Sequence, residues 1–414
     1  MHANIRHFTF ILPVHYATNS PQPFFLEITS RMPHLTNLDI RSSVPMHSIE
    51  VEMISMVEQL PKLKKITFPR FYLTTKVAEA LSRLSHLEVI EFQYSAEQGY
   101  GDPTDIIPFA PNLSEGAFPS LWDHSMTTTF DDAAHFINTK FSPTNLTMLY
   151  IDSDFMESPS SIHNFLSVVA DNCQLLKSLA LVSLRDASSV PDVDQVTDDD
   201  ITLDVLKPLL KLPGLSMMEL VHQHQLALTQ IDIELLASSW PSLETLILNN
   251  EPVHLSRSNL TLKALLPFAK HCYKLTHLGL FVDATSVDES FDQANLIPFQ
   301  NLKRLSMGVS IITDTEDVAL CLSRILPLGC KLDSGITWDD ATPINTLVAL
   351  KVEERCQAWS KVAEMLPMLC TLRMQERERS RAIEKELEDL RMRSAFISDM
   401  VVLGMRDNSA CIMI

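Results

Sequence analysis

Leu275-Thr276-His277-Leu278-Gly279-Leu280 is the stretch on which the fold turns. Successive side chains of a β-strand point to opposite sides. Leu278 and Leu280 therefore share one side, and His277 faces the other. The same Leu-x-x-Leu-x-Leu phrase returns along the whole chain. It reads Leu35/Leu38/Ile40, Leu63/Ile66/Phe68, Leu87/Ile90/Phe92, Leu146/Leu149/Ile151 and Leu176/Leu179/Leu181. Further copies are Leu215/Met218/Leu220, Leu243/Leu246/Leu248, Leu302/Leu305/Met307 and Leu369/Leu372/Met374. Self-similarity at intervals of about 20–30 residues marks a stack of like units, each too small to bury its own core.

Between phrases the apolar period becomes helical. Ile49, Met53, Met56 and Val57 follow it, as do Val77, Leu81 and Leu84, then Ile162, Leu166 and Val169, then Val318, Leu322 and Ile325. Strands alternating with helices imply parallel pairing, because the connection must return the chain to the same sheet edge. The expected fold is an α/β leucine-rich-repeat solenoid: a curved parallel sheet on the concave side, helices and loops on the convex side, and a C-terminal helical tail. Two units align closely, Thr202–Leu209 with Thr261–Phe268. Their prolines, Pro208 and Pro267, are expected in the first turn of a short helix.

The solenoid is assigned to residues 1–374, with irregular insertions near 96–124 and 186–201. The first insertion holds Gly99, Gly101, Pro103, Pro108, Pro111 and Pro119 and one degraded phrase, Leu121/His124/Met126. The second is acidic, with Asp192, Asp194, Asp198, Asp199 and Asp200. It reads as a solvated surface loop, without the glycine and final Glu of a calcium loop. The unit around Leu328–Trp338 is also degraded. Residues 375–414 are assigned to a charged helix and tail. Ile383, Leu387 and Leu390 form a narrow apolar seam there of only about two heptads, expected to cap the end of the solenoid rather than to self-associate.

Thirty-three Lys and Arg against 52 Asp and Glu leave a net charge of −19, which disfavours nucleic acid and anionic lipid. A hydrophobic fraction of 46% argues against disorder. Seven cysteines form no Cys-x-x-Cys pair, so neither a disulfide framework nor a zinc site is expected. That fits a reducing compartment, cytoplasm or nucleus. The N-terminal stretch lacks a signal-peptide layout, so secretion is not expected.

Two repeats carry a finer signature. Ala170-Asp171-Asn172-Cys173-Gln174-Leu175-Leu176 and Ala269-Lys270-His271-Cys272-Tyr273-Lys274-Leu275 each set a Cys three residues before the first phrase leucine. They resemble the cysteine-containing repeat of F-box/leucine-rich-repeat proteins. Leu235-Leu236-Ala237-Ser238-Ser239-Trp240-Pro241-Ser242-Leu243 is similar to a phrase of the fungal members. The resemblance covers the repeat region, roughly 5 to 374, and no F-box is found before it. In that family the repeats hold a substrate while the F-box recruits a cullin-type ubiquitin ligase. The resemblance therefore implies a non-catalytic interaction scaffold like the substrate-binding half of such adaptors. One other reading is a true ligase adaptor whose F-box is missing from this chain. Another is a prenylated, membrane-peripheral repeat protein.

Motifs of catalysis are absent. The nine glycines form no phosphate-cradling loop, and neither His-Glu-x-x-His nor Gly-x-Ser-x-Gly occurs. No catalytic residue, cofactor or metal ligand is assigned. His222-Gln223-His224 reads as a pair of exposed polar residues, and Cys173 and Cys272 as small packing residues. The last four residues, Cys411-Ile412-Met413-Ile414, fit the Cys-aliphatic-aliphatic-X pattern. Cys411 is thus a candidate for prenylation, and membrane association is expected only through it.

The candidate binding surface follows from strand alternation. Residues between the phrase leucines face away from the core. Early repeats put Asn37, Asp39, Arg41, Lys65 and Thr67 there. Central repeats put Ala180, Val182, Met217, Glu219, Val221, Thr245, Ile247, Asn249, His277 and Phe281 there. Strands lie about 4.8 Å apart, so these side chains are expected to form one continuous exposed patch for a protein partner, with Phe281 as its anchor.

Overall fold

The computed structural model describes residues 4–93, 95, 97–184, 200–255, 257–286, 291, 296–337 and 346–409. Residues 17, 346–347 and 396–409 are described by their backbone alone. Fourteen strands are β1 (His7–Leu12), β2 (Asn37–Ser42), β3 (Lys65–Phe68), β4 (Val89–Phe92), β5 (Asp123–Thr127), β6 (Met148–Ser153), β7 (Ser178–Ser183), β8 (Met217–His222), β9 (Thr245–Leu248), β10 (His277–Leu280), β11 (Asp283–Ala284), β12 (Arg304–Gly308), β13 (Ile311–Ile312) and β14 (Lys331–Ser334). Twelve of them pair in chain order into one parallel sheet, and β11 pairs with β13 separately.

The middle position of each phrase lines up across this sheet. Phe8, Leu38, Ile66, Ile90, His124, Leu149, Leu179, Met218, Leu246, Leu278, Leu305 and Leu332 are register partners in turn. All are buried except Phe8 and Leu332, which stand at the two ends and have a neighbour on one side only. Burying each such aliphatic side chain contributes roughly 1.5–3 kcal/mol, and this row carries the solenoid from unit to unit. His124 interrupts it. The ring is wholly buried beside Phe118 and Phe136, and neither nitrogen has a partner among the described residues. Burial pushes its pKa down to about 3, so it is a neutral imidazole in a leucine position.

Helices on the other layer are α1 (Gln22–Arg31), α2 (Glu50–Glu58), α3 (Thr75–Ser82), α4 (Phe130–Ile137), α5 (Pro159–Asn172), α6 (Leu203–Leu206), α7 (Gln230–Ser239), α8 (Leu265–His271), α9 (Thr315–Ser323) and α10 (Thr346–Ser409). Their starts are written in the sequence. Thr74, Thr129, Ser158, Thr229 and Asp314 each accept a backbone N–H from the first turn of the helix that follows. Pro208 and Pro267 fall in the first turns of Lys207–Lys211 and α8, where a missing N–H breaks no helical bond. Cys173 and Cys272 end α5 and α8 and are buried. The Cys272 thiol donates to the Ala237 and Trp240 carbonyls at 3.4 and 3.5 Å. Burial pushes the two thiols up to about 11 and 12, so both stay protonated packing groups at neutral pH.

Two elements differ from the sequence reading. β1 carries no complete phrase, yet Phe10 and Leu12 sit in the core as the phrase residues of other units do. Leu369/Leu372/Met374, by contrast, forms no strand. It lies inside α10, because an i, i+3 leucine pair suits a helix face equally well and no turn residue breaks the charged run that follows. The sheet ends at β14 instead.

At about 1.5 Å per residue, the 64 residues of α10 extend for about 96 Å. Its first part seals the solenoid against α9 and β14, burying Val352, Trp359, Val362, Leu366 and Cys370. The Trp359 indole N–H donates to the Ser310 carbonyl at 2.9 Å, and Arg355 donates to the Val309 carbonyl at 2.8 Å. Arg377 makes a last anchor, to the Arg324 carbonyl at 3.0 Å. From Glu378 to Ala395 every residue is exposed. The seam of Ile383, Leu387 and Leu390 therefore does not cap the solenoid; residues upstream in the same helix do.

Candidate functional site

The face of the sheet turned away from the leucine row changes character along the solenoid. On the early strands it is ionic and largely paired internally, Asp123 being the exception among the described residues. Arg41 bridges Asp39 and Glu97 at 3.2 and 3.0 Å. Lys65 meets Glu91 at 2.7 Å, and the Thr67 hydroxyl donates to Glu91 at 3.0 Å. Arg70, just past β3, reaches across two strands to the buried Asp152 of β6 at 2.6 Å, with Asp154 at 3.8 Å. Its guanidinium also lies over the rings of Phe71 and Tyr100, at 4.7 and 5.6 Å from their centroids. Asp123 stands beside Glu91. Burial first, and that like charge second, push its carboxyl up to about 6.

The central strands replace this network with apolar groups around one carboxylate. Register places Glu219 on β8 between Ala180 on β7 and Ile247 on β9. Met217 and Val221 precede and follow it on the same side. Glu219 makes no hydrogen bond and no ion pair among the described residues. Partial burial, and then the like charge of Glu251, raise its pKa. Glu251 itself is satisfied, accepting from the Thr337 N–H and hydroxyl at 2.6 and 2.9 Å and from Asn250 at 3.1 Å.

The ten residues expected to form the patch do not share one environment. Met217, Glu219, Val221, Thr245 and His277 are half-buried and reach solvent. Ala180, Val182 and Ile247 are buried between their neighbours and form a floor. His277 is held by the Ser306 hydroxyl at 2.8 Å. Asn249, with φ of 43°, is turned into the backbone: its Oδ1 accepts from the His222 N–H at 3.0 Å and its Nδ2 donates to the His224 carbonyl at 2.6 Å. Phe281 is not an exposed anchor. It is only 5% exposed, in a cluster with Val309 and Val352 against which Leu255, Ile336, Val348 and Cys356 pack. The start of α10 covers it.

His222 and His224 are not the exposed pair expected. His222 is buried, lies 3.0 Å by Nε2 from the Glu157 carbonyl, and accepts the His224 N–H at Nδ1. His224 stacks on His254 with ring centroids 4.5 Å apart. Burial lowers the pKa of all three rings, so they are neutral structural groups at neutral pH. No group of three or more His, Cys, Asp or Glu is arranged for a metal ion among the described residues. Cys411 and the acidic stretch 185–199 lie outside the described residues. Among those described, no helix is long and apolar enough to cross a membrane.

Two features of this face escaped sequence reasoning. The Arg70–Asp152 strap joins residues 82 apart, with no local signal. The cover over Phe281 did leave one: Val352, Trp359 and Leu366 recur every seven residues, the mark of a packed helix.

No family model matches the sequence, and no curated protein matches it. Solved structures do resemble it. The leucine-rich-repeat-containing protein LegL7 from Legionella pneumophila is 12% identical over 85% of this chain and 98% of its own, with a TM-score of 0.41. The complex of Rad7 and Elc1 in yeast matches 76% of this chain and 78% of its own at 16% identity, TM-score 0.40. The TLR13–ssRNA13 complex matches 80% of this chain and 44% of its own at 16% identity, TM-score 0.34. The ladder of parallel strands and its buried leucine row make this chain an α/β leucine-rich-repeat solenoid.

Proposed function

We propose that the protein is a non-catalytic interaction scaffold that holds a partner protein on the outer face of β7 to β10. The observation that supports this reading is Glu219. A carboxylate without a partner among the described residues, set among Ala180, Met217, Val221 and Ile247, costs folding free energy. It matches a Lys or Arg whose aliphatic stem lies on the apolar floor while its cationic head pairs with the carboxylate. Asp39–Arg41 and Lys65–Glu91 are already paired, and Asp123, which has no pair among the described residues, stands beside the charges of Glu91 and Lys65 rather than on an apolar floor.

The test compares partner capture by the parent, by Glu219→Gln, and by Met217→Ser with Val221→Ser. Each variant should weaken binding about ten-fold, while Asn37→Ala on the early strands should not change it. Unchanged capture by the folded Glu219→Gln protein would move the site elsewhere. The more specific form of this reading, implied by the F-box resemblance, is that the bound partner is a ubiquitination substrate. These 414 residues alone should then bind the substrate without carrying the ligase core.

A further inference from the structure

The second half of α10 projects from the solenoid with an apolar seam that nothing among the described residues covers. Ile383, Leu387 and Leu390 are 58%, 47% and 55% exposed. Their spacing of four then three sets a heptad frame with Leu387 at position a and Ile383 and Leu390 at d. The same frame puts Arg379 and Glu386 at g, and Glu384 and Arg391 at e. In a parallel pair of helices each g residue meets the e residue five positions on in its partner. Arg379 then faces Glu384 of a second copy, and Glu386 faces Arg391. Both contacts are attractive, and by symmetry each occurs twice.

We propose that residues 379–391 of α10 pair with the same segment of a second copy of this chain as a parallel, in-register two-stranded coiled coil. In register, Ile383, Leu387 and Leu390 each meet their own kind in consecutive layers. An antiparallel pairing centred on the two leucines would set Ile383 against Ser394 and break that sequence of layers. The partner helix cannot continue toward the solenoid. Arg373, Glu376 and Ser380 interrupt the seam with polar groups, and Arg377 is engaged with the Arg324 carbonyl. The pairing is confined to the projecting half.

Sedimentation of the full chain over about 1–100 μM tests this. The parent is expected to pass from monomer to dimer, and Leu387→Asp to remain monomeric with unchanged helix content, since the residue is exposed. Glu384→Arg with Glu386→Arg should weaken the dimer about ten-fold. Adding Arg379→Glu and Arg391→Glu should restore self-association, while this four-fold variant should fail to mix with the parent. Leu390→Cys should give a disulfide-linked dimer on mild oxidation, absent from the parent. A parent that stays monomeric at the highest concentration, or failure of the charge swap to restore pairing, would overturn the proposal. An unlinked Leu390→Cys dimer would overturn the parallel arrangement.

Discussion

The early strands β2 to β6 and the central strands β7 to β10 share one inner face and differ on the outer one. Inward, both present the same row of buried side chains, aliphatic except for His124 on β5. Outward, the early strands cross-link their charges, as in the Arg70–Asp152 and Lys65–Glu91 pairs. The central strands leave Glu219 without a pair among the described residues, on an apolar floor. The inner face is constrained by packing and repeats from unit to unit. The outer face is free of that constraint, and there the early strands pair most of their charges, Asp123 excepted, while the central strands set Glu219 among apolar groups.

The contrast predicts unequal responses to mutation. Arg70→Met removes the ion pair to the buried Asp152 carboxylate and should cost about 3–5 kcal/mol in urea unfolding. A cost near zero would mean the outer network of the early strands is ornamental, and the comparison would fail. On the inner face, Ile66→Ala and Leu246→Ala should each cost about 2–5 kcal/mol, because both are wholly buried in the same row. A large disparity between them would show that the two halves differ inside as well as outside.

His124→Leu should raise stability by about 1–3 kcal/mol by replacing two unpartnered ring nitrogens with a side chain that fits the row. The native ring titrates near 3, below the ordinary 6.5, so the unfolded chain takes up the proton first. The parent should therefore lose stability as pH falls from about 6.5 toward 3, and the leucine variant should lose less over that window. The smallest effect belongs to Glu219→Gln. The folded-state pKa of Glu219 is raised above its ordinary 4.5, so its ionisation costs native stability as pH climbs through that interval. At neutral pH the Gln variant should be more stable, by less than about 1 kcal/mol given the solvent that reaches the group. A destabilised Gln variant would show that the carboxylate serves the fold, as those of the early strands do.

What could be read from the sequence follows the same division. The inner row was legible because strand alternation and burial coincide there, so Leu179, Leu246 and Leu278 are buried as their phrase requires. His124 was visible as a flaw in its phrase, though its lack of hydrogen bonds was not. Alternation also told which residues leave the core, but not what lies above them. Phe281 is covered by Val348 and Val352, which arrive through α10, and by Ile336, just past β14, all distant in sequence. That Glu219 has no pair among the described residues is likewise a property of its surroundings in three dimensions. Leu369/Leu372/Met374 misled because its first spacing fits a strand phrase and a helix face alike.

Val352, Trp359, Leu366 and Leu387 stand at multiples of seven residues from one another, so one heptad frame joins the sealing part of α10 to its projecting seam. The rotational phase of the outer seam is thereby geared to the solenoid. One residue inserted between Arg373 and Ser380 would turn that seam by about 100° around the helix axis. Seven inserted residues would bring it back to within about 20°. The helix thus works as a drive shaft as well as a cap: whatever grips its far end is held at an azimuth set by Trp359 in its socket beneath Ser310.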